Sequence, residues 1–113
     1  MRSDPLDRAF TALACGTRRR VVELLRAGPR RAGELAAQLD VGAPALTRHL
    51  RVLREAELVH EQVDDADGRA RIYTLRREVF GALRGWVDDV EALWRGQLAA
   101  FAEHVQKRTG RPR

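Results

Sequence analysis

The stretch that decides the fold is residues 33–56, which read GELAAQLDVGAPALTRHLRVLREA. Its apolar residues recur at helical spacing and predict one helix at about residues 32–39 and a second at about residues 43–57. Between them lies the tight segment 40–42, which contains a glycine. Two helices joined by a turn of about three residues with a glycine have the spacing of a helix-turn-helix, so we predict this motif for the centre of the chain.

The second of these helices has two different faces. Its leucines share one face, whereas the opposite face is small near its start and basic further along. Small residues let a helix approach the major groove of DNA, where Thr47 and Arg48 reach base edges and the later arginines reach phosphate. A charged face that meets only solvent is the alternative, and His49 either donates to a phosphate or packs beside the turn. The predicted DNA contacts of this helix are Ala43, Pro44, Thr47, Arg48, His49, Arg51 and Arg54.

A β-hairpin is predicted directly after this helix, in the position of a wing. Residues 58–63 and 69–75 have the pattern of two short strands, and an Asp-Gly turn lies within residues 64–68. In the second strand, one face carries Ala70, Ile72 and Thr74, and the other carries Arg69, Arg71, Tyr73 and Leu75.

The charged residues of this hairpin give opposing indications about DNA binding. Arg69 and Arg71 share a strand face and are predicted to reach the minor groove beside the helix-turn-helix. Residues 57–67, however, hold five acidic residues and no Lys or Arg, and an acidic tip repels phosphate. The wing therefore either contacts DNA only through these two arginines or holds its tip away from the duplex, and arginines that merely cover the strand surface are the other alternative.

Two further helices are predicted before the helix-turn-helix. The first spans about residues 5–14 and is ended by Gly16. Thr17 is predicted to N-cap the second, which has three arginines at positions 18–20 in its first turn. Arginines there oppose the helix macrodipole by a few tenths of a kcal/mol or more each. A role other than helix stability is therefore expected, and Thr17 and Arg18 are predicted DNA contacts.

A helix of some thirty residues, roughly 45 Å long, is predicted at about residues 78–108. Its apolar residues, including two tryptophans, form a stripe. A domain of this size is about 30 Å across, so the stripe would stay partly wet in a monomer. We therefore predict a twofold homodimer through this helix and the first one. The predicted dimerisation residues are Leu6, Phe10, Val79, Leu83, Trp86, Val90, Leu93, Trp94, Leu98 and Phe101.

Composition and charge limit the classes of protein. A chain of 113 residues, of which 44% are hydrophobic and 33% charged, suits one domain rather than a disordered segment. Its formal net charge of +5 favours an anionic partner, either nucleic acid or an acidic membrane surface. No signal peptide or membrane span is expected. A single cysteine rules out an internal disulfide, and a reducing cytoplasm is the predicted location.

The sequence contains no candidate group of catalytic residues. The chain has a single serine, Ser3, its three histidines fall on separate predicted elements, and it has no Gly-rich phosphate loop. We therefore predict no enzyme, no cofactor and no metal site. Cys15, close to three arginines, is either a candidate redox-active thiol or a buried inert residue. The last residues, 107–113, carry four basic residues and no acid, and they form either a minor-groove arm or a frayed tail.

Several stretches together resemble the ArsR-type winged helix-turn-helix repressors, over about residues 5–76. The stretches are residues 10–14, 17–20, 33–39, 43–56, 58–59, 68–69 and 73–75. The long last helix with Trp86 and Trp94 resembles a metal-independent branch of that family, whose relatives are homodimeric repressors. The resemblance implies a winged helix-turn-helix fold and a DNA-binding regulator.

The chain also departs from the family pattern. Metal-sensing members carry a Cys-x-Cys pair in the third helix, where this chain has Ala36 and Ala37, or ligands along the last helix whose spacing is not reproduced here. Soft-metal sensing is therefore not expected. Gly42 stands where relatives often have a capping Ser, and Asp40 and Glu57 stand where they often have Gly. Replacing a Ser cap by Gly costs only a few tenths of a kcal/mol, so the fold prediction stands.

The sequence thus predicts a mainly α-helical winged helix-turn-helix with a small β-hairpin and a long C-terminal dimerisation helix. Residues 1–108 would form the DNA-binding domain and residues 109–113 a basic tail. The predicted function is a regulator, most simply a repressor, that binds double-stranded DNA at an inverted repeat as a homodimer, with no membrane partner and with no effector specified. Two alternatives remain: a protein-interaction module, suggested by the acidic wing, and a repressor that responds to thiol oxidation through Cys15.

Overall fold

The computed structural model describes residues 4–109, except for the side chains of residues 67 and 107–109. Five helices and three short strands are present in this part of the chain. In chain order they are α1 (Pro5–Leu13), α2 (Gly16–Leu25), β1 (Arg30–Arg31), α3 (Ala32–Leu39), α4 (Ala43–Glu55), β2 (Val59–Asp64), β3 (Asp67–Leu75) and α5 (Arg77–Thr109).

The predicted helix-turn-helix is confirmed as α3 and α4. Asp40 ends α3 in the left-handed region, with φ 55°, and Gly42 is the N-cap of α4. Within α4, Leu46, Leu50 and Leu53 are all buried, as their shared face predicts. The helix α4, the second helix of the motif and the recognition helix of a helix-turn-helix, is therefore anchored by one apolar face, which leaves its other face available to a partner.

The core of this region lies between the helices and the sheet. Its largest fully buried side chains come from α2, α3, α4 and the residue before β2; they are Val21, Leu35, Leu46, Leu53 and Leu58. Burying an aliphatic side chain of this size contributes roughly 1.5–3 kcal/mol, so the packing of these helices fixes where the basic face of α4 lies.

The hairpin is confirmed, but it belongs to a three-stranded antiparallel sheet with the order β1-β3-β2. No sequence pattern indicated β1, whose two arginines pair with Tyr73 and Ile72 of β3. The turn also differs from the expectation, because Gly68 lies in β3 and not in the turn. Asp64 and Asp67 are paired across the turn, and the Asp64 carboxylate accepts a hydrogen bond from the backbone N–H of Ala66 at 2.9 Å. This bond closes the turn without the glycine.

Two other expectations need correction, and the sheet adds a further finding. The second helix begins at Gly16 with Cys15 as its N-cap, so Thr17 lies inside the first turn and Gly16 does not end the first helix. In β3 the most buried side chain is Tyr73, which lies on the face that also carries Arg69 and Arg71. Burial on this sheet therefore follows the large side chain of Tyr73 rather than the alternation of small apolar residues.

The contacts divide the chain into two compact units, residues 1–81 and residues 82–113. The first unit contains every element from α1 to β3 and the start of α5, and Val79 belongs to its core at 9% exposure. The predicted long helix is confirmed as α5, which includes Thr109, the first residue of the expected basic tail; residues 110–113 lie outside the described part. Within residues 4–109, no helix has both the length and the hydropathy needed to cross a membrane.

Candidate nucleic-acid interface

The outer face of α4 carries most of the predicted DNA contacts. Six of the seven residues predicted there are exposed, and the seventh, His49, is half-buried. Arg48 and Arg51 have no hydrogen-bond or ion-pair partner among residues 4–109, so both guanidinium groups are available to a ligand. A guanidinium can bind a guanine edge or a phosphate with two parallel hydrogen bonds.

Thr47 has part of its hydrogen-bonding capacity in use. Its hydroxyl donates to the backbone carbonyl of Ala43, one turn earlier in the helix, at 2.9 Å. The hydroxyl oxygen still has lone pairs to accept a hydrogen bond. In this rotamer Thr47 therefore suits a donor on the DNA, such as an amino group on a base edge, and its methyl group suits the methyl group of thymine.

Arg18 is bound to other parts of the protein rather than presented freely on its surface. Its Nε donates to the backbone carbonyl of Ala12 at 2.7 Å, and its Nη1 lies 3.3 Å from Nδ1 of His49. Burial lowers the pKa of His49, and the charges of Arg18 and Arg48 lower it further. A neutral His49 can accept a hydrogen bond from Arg18, so these two predicted DNA contacts join the first turn of α2 to α4.

The wing arginines are brought close to α4. Thr47, Arg69 and Arg71 line one concave surface of about 580 Å³, together with residues at the start of α3. One side of this surface is formed by the recognition helix and another by β3. Residues that the sequence placed on two separate elements thus share one groove, which we call the wing groove.

Several acidic residues in and directly before the wing lie against arginines. Glu57 lies 3.7 Å from Arg76 and 3.9 Å from Arg8, measured between side-chain nitrogen and oxygen atoms. Glu61 forms an ion pair with Arg54 at 2.9 Å. A third acid, Asp64, pairs with Arg31. Three of the five acidic residues that argued against DNA binding therefore have a positive partner within the protein.

Sequence reasoning missed two residues of this region. Arg31 lines the wing groove and pairs with Asp64, and the Tyr73 hydroxyl donates to Glu61 at 2.6 Å. The only signal for Arg31 was its place directly before α3, and the strand that positions it is too short to show a sequence period. Burial, together with the hydrogen bond to Glu61 and the charge of that carboxylate, raises the pKa of Tyr73 to about 12.

Cys15 occupies the N-cap of α2 and is half-buried. The backbone N–H of Arg18 lowers the pKa of this thiol, with smaller contributions from the N–H of Thr17 and from the charges of Arg18 and Arg19; burial opposes them. The thiolate is the reactive form of cysteine, so the lowered pKa increases its reactivity at neutral pH. Within residues 4–109, no three His, Cys, Asp or Glu side chains are grouped so that they could hold a metal ion.

The predicted dimerisation residues fall into two groups. In the second unit, nearly all of the apolar stripe of α5 is exposed, up to 67% at Leu93 and 66% at Phe101, and only Leu83 is half-buried. In the first unit, Phe10 is 40% exposed, whereas Val79 is buried in its own protomer and offers little surface to a partner. Val79 therefore differs from the expectation, because it packs into the core at the start of α5.

A recognition helix with free arginines, a wing beside it and a core that anchors both define a DNA-binding winged helix-turn-helix. Comparison with known proteins gives its family. The sequence pattern of the bacterial regulatory proteins of the arsR family matches residues 15–61. The HTH-type transcriptional regulator Rv2034 of Mycobacterium tuberculosis is 43% identical to this chain over 99 residues, which cover 88% of this chain and 87% of that protein.

Two further relatives agree with this match. The transcriptional repressor SdpR of Bacillus subtilis is 28% identical over 82 residues, which cover 73% of this chain and 88% of that protein. The crystal structure of the ArsR family transcriptional regulator RHA00566 aligns with a TM-score of 0.74 and 30% identity, covering 81% of this chain and 98% of that one. The chain belongs to the ArsR family of transcriptional regulators, and it is a DNA-binding regulator rather than an enzyme.

Proposed function

We propose that the protein is a repressor that binds an inverted repeat in double-stranded DNA as a homodimer, with α4 of each protomer in the major groove. The observation that carries the proposal is the exposed basic face of α4, on which Arg48 and Arg51 have no partner within the described chain. The name of the similar protein SdpR, a transcriptional repressor, favours repression over activation. Two recognition helices related by a twofold axis read half-sites about one DNA turn apart.

The contacts divide by chemistry. Thr47 and Arg48 lie near the middle of α4 and are proposed to reach base edges, with Ala43 and Pro44 allowing the close approach of the helix. Arg51 is proposed to bind a phosphate, and Arg69 and Arg71 are proposed to follow the DNA backbone from the wing groove. Arg18 supports this surface from α2 through its contact with His49, and Thr17 is proposed to contact DNA from the first turn of the same helix.

The homodimer is proposed to form through α5 and α1. Exposed apolar side chains recur along α5 at helical spacing. Removing their surface from water would stabilise the protein by about 25 cal/mol per Å² of apolar area. A second copy of the same stripe covers this surface with matching chemistry. The residues concerned are Trp86, Val87, Val90, Leu93, Trp94, Leu98, Phe101 and Val105. In this proposal residues 1–108 act together as a DNA-binding domain with its dimerisation helices, in the cytoplasm.

Selection of bound fragments from a pool of random DNA duplexes tests the operator and the symmetry together. We expect a short inverted repeat whose half-sites are centred about 10–11 base pairs apart, because that spacing puts both recognition helices on one side of the duplex. Sedimentation of the free protein and of the complex should give two protomers per duplex. Selected sequences with a single half-site, bound by one protomer, would contradict the homodimeric mode while leaving DNA binding intact.

A second candidate function is a response to thiol oxidation. It is favoured by the lowered pKa of Cys15 and by the position of this residue at the N-cap of α2, the helix that packs on α4 through Arg18 and His49. Oxidation would then alter the support of the recognition helix. Peroxide should release the wild-type protein from its operator and leave a Cys15→Ser variant bound; equal responses of the two proteins would remove this candidate.

A further inference from the structure

Three side chains connect the recognition helix to the wing at one point. Glu61 in β2 accepts a hydrogen bond at Oε1 from Nη1 of Arg54 in α4, at 2.9 Å, and at Oε2 from the hydroxyl of Tyr73 in β3, at 2.6 Å. Tyr73 is 6% exposed, and the side chain of Glu61 is 25% exposed. One carboxylate thus uses one oxygen for the helix and the other for the adjacent strand. We call this arrangement the wing clamp.

A second connection lies near the tip of the wing. The Asp64 carboxylate accepts a hydrogen bond from Arg31, and the backbone N–H of Arg31 donates to Glu34 of α3 at 2.8 Å. Arg31 is also paired with Ile72 of β3. The tip is therefore connected to the beginning of α3, whereas the wing clamp connects the middle of β2 to α4.

The wing groove lies among these connections. It is lined by Arg31 and Tyr73, which belong to the two connections, and by Thr47, Arg69 and Arg71, which are proposed to face DNA. A wing that moved freely would have to be ordered when DNA binds, and ordering side chains and loops on binding costs affinity. Fixing the wing beforehand removes that cost and sets the distance between the wing arginines and α4.

We propose that Glu61 and Asp64 are positioning residues that hold the wing against the helix-turn-helix, and that Arg54 serves this clamp and does not bind a phosphate. The inference rests on the DNA-binding mode proposed above and gives a role to the acidic residues of the wing. It also changes the assignment of Arg54, which sequence reasoning placed among the DNA contacts. An acid paired with an arginine carries little net charge, so these residues hold the wing without repelling the duplex.

The clamp has a spectroscopic readout that does not involve DNA. Tyr73 is the only tyrosine in the chain, so the ultraviolet absorbance of tyrosinate reports this residue alone. Burial and Glu61 keep the hydroxyl protonated, while Arg54 and Arg71 oppose them. A Glu61→Gln variant should therefore ionise at a lower pH than the wild type, and a matched Glu23→Gln variant, at an exposed position of α2, should not. Identical titrations of Glu61→Gln and the wild type would overturn the clamp, with circular dichroism confirming that both stay folded.

Salt dependence distinguishes the two roles of Arg54. Each phosphate contact adds about 0.9 to the slope of log affinity against log salt concentration. We expect Arg54→Ala to weaken operator binding and to leave this slope unchanged, like the charge-matched control Arg84→Ala, which should also keep its affinity. A slope that falls by about 0.9 per protomer in Arg54→Ala would show a phosphate contact and overturn the assignment. Arg54→Lys, which keeps the ion pair, should recover most of the affinity.

Coupling between the clamp and the wing arginines completes the test. Loss of one charge-assisted hydrogen bond should weaken operator binding of Glu61→Gln about 3- to 10-fold. Arg71→Ala should then cost less affinity in the Glu61→Gln background than in the wild type, because a loosened wing no longer places Arg71 on the duplex. Additive losses would contradict the positioning role. A wild-type protein that binds no duplex would refute the proposed function instead, since the tyrosine titration tests the clamp by itself.

Discussion

Replacing Arg48 by alanine measures the role of α4 in DNA binding most directly. Arg48 is exposed on the outer face of α4 and has no hydrogen-bond or ion-pair partner among residues 4–109, so the change should alter the free energy of unfolding by no more than about 0.5 kcal/mol. Any larger effect on operator binding therefore comes from a lost contact with DNA and not from a damaged fold.

The expected loss follows from the chemistry of the contact. A bidentate contact between a guanidinium and a guanine edge discriminates by about 1–3 kcal/mol, which is roughly a 5- to 150-fold change in affinity per recognition helix. In a homodimer both half-sites lose the contact, so the free-energy loss should approach twice that value. The loss should be confined to the selected operator, because a scrambled duplex offers no matching base to Arg48.

Fluorescence anisotropy with labelled duplexes at a fixed salt concentration gives the measurement. Arg51→Ala serves as the matched control, because it removes the same charge from the same helix but is proposed to lose only a phosphate contact, so it should weaken both duplexes alike. If Arg48→Ala binds the operator like the wild type, Arg48 makes no base contact. If it weakens operator and scrambled duplex equally, it binds phosphate and the base-reading role is refuted.

Three further predictions concern stability, chemistry and assembly. Asp40→Gly should raise the free energy of unfolding by about 1 kcal/mol in urea denaturation, because it relieves a φ of 55°; Glu57→Gly, at φ 60°, should gain less because it also loses its ion pairs with Arg8 and Arg76. Alkylation of Cys15 should reach half its maximal rate at a lower pH in the folded protein than in urea, because the fold lowers the pKa of the thiol. Arg18→Ala should retain most of this difference, since the backbone N–H of residue 18 is the largest cause. Equal midpoint pH values in the folded and the urea-unfolded protein would contradict the lowered pKa. Leu93→Glu should shift the protein from dimer to monomer in sedimentation without changing the fold, whereas Glu103→Gln should not; an unchanged dimer would exclude this part of α5 from the interface.

Much of the fold could be predicted because its signals are local. The leucines of α4 at positions 46, 50 and 53 define a buried face by their spacing alone, and the structure buries all three. The bounds of α3 and the extent of α5 follow from the same periodicity. β1 could not be found in this way, because a strand of two residues has no period and exists through its pairing with Tyr73 and Ile72, some forty residues later.

The predicted start of α2 and the predicted turn of the hairpin were wrong for a common reason. In both cases a rule about residue type assigned the position to the residue that usually occupies it, a capping threonine at Thr17 and a glycine at Gly68. The structure uses other residues: Cys15 has the extended backbone of an N-cap, and the Asp64 carboxylate closes the turn through Ala66. Which of several neighbouring residues takes such a role depends on packing, which a sequence pattern does not contain.

The residues of the candidate site could be predicted from the sequence, but the hydrogen bonds and ion pairs between them could not. Sequence reasoning placed all three arginines of α4 on DNA, Arg48 at base edges and the later two at phosphate, whereas the structure leaves Arg48 and Arg51 without partners among the described residues and pairs Arg54 with Glu61. It likewise treated the acids of residues 57–67 as a negative tip, although Glu61 and Asp64 face arginines. Ion pairs between residues far apart in sequence cannot be identified from one chain, because charge alone does not say which acid meets which base.

Ion pairs and hydrogen bonds within the protein limit the number of arginines that are available to bind DNA. The 21 Lys and Arg residues exceed the 16 Asp and Glu residues by five, but net charge does not say which side chains a duplex can use. An arginine that already donates to a carboxylate or a backbone carbonyl has fewer of its five N–H donors left for a phosphate. Turning its guanidinium away towards the duplex would break that bond, and a hydrogen bond to a charged group contributes about 1.5–3 kcal/mol. Arg18 and Arg31 are engaged in this way, and so is Arg54. In the proposed binding mode, Arg48 and Arg51, which have no partner among residues 4–109, contact the duplex from α4, and the paired arginines hold α4 and the wing in place.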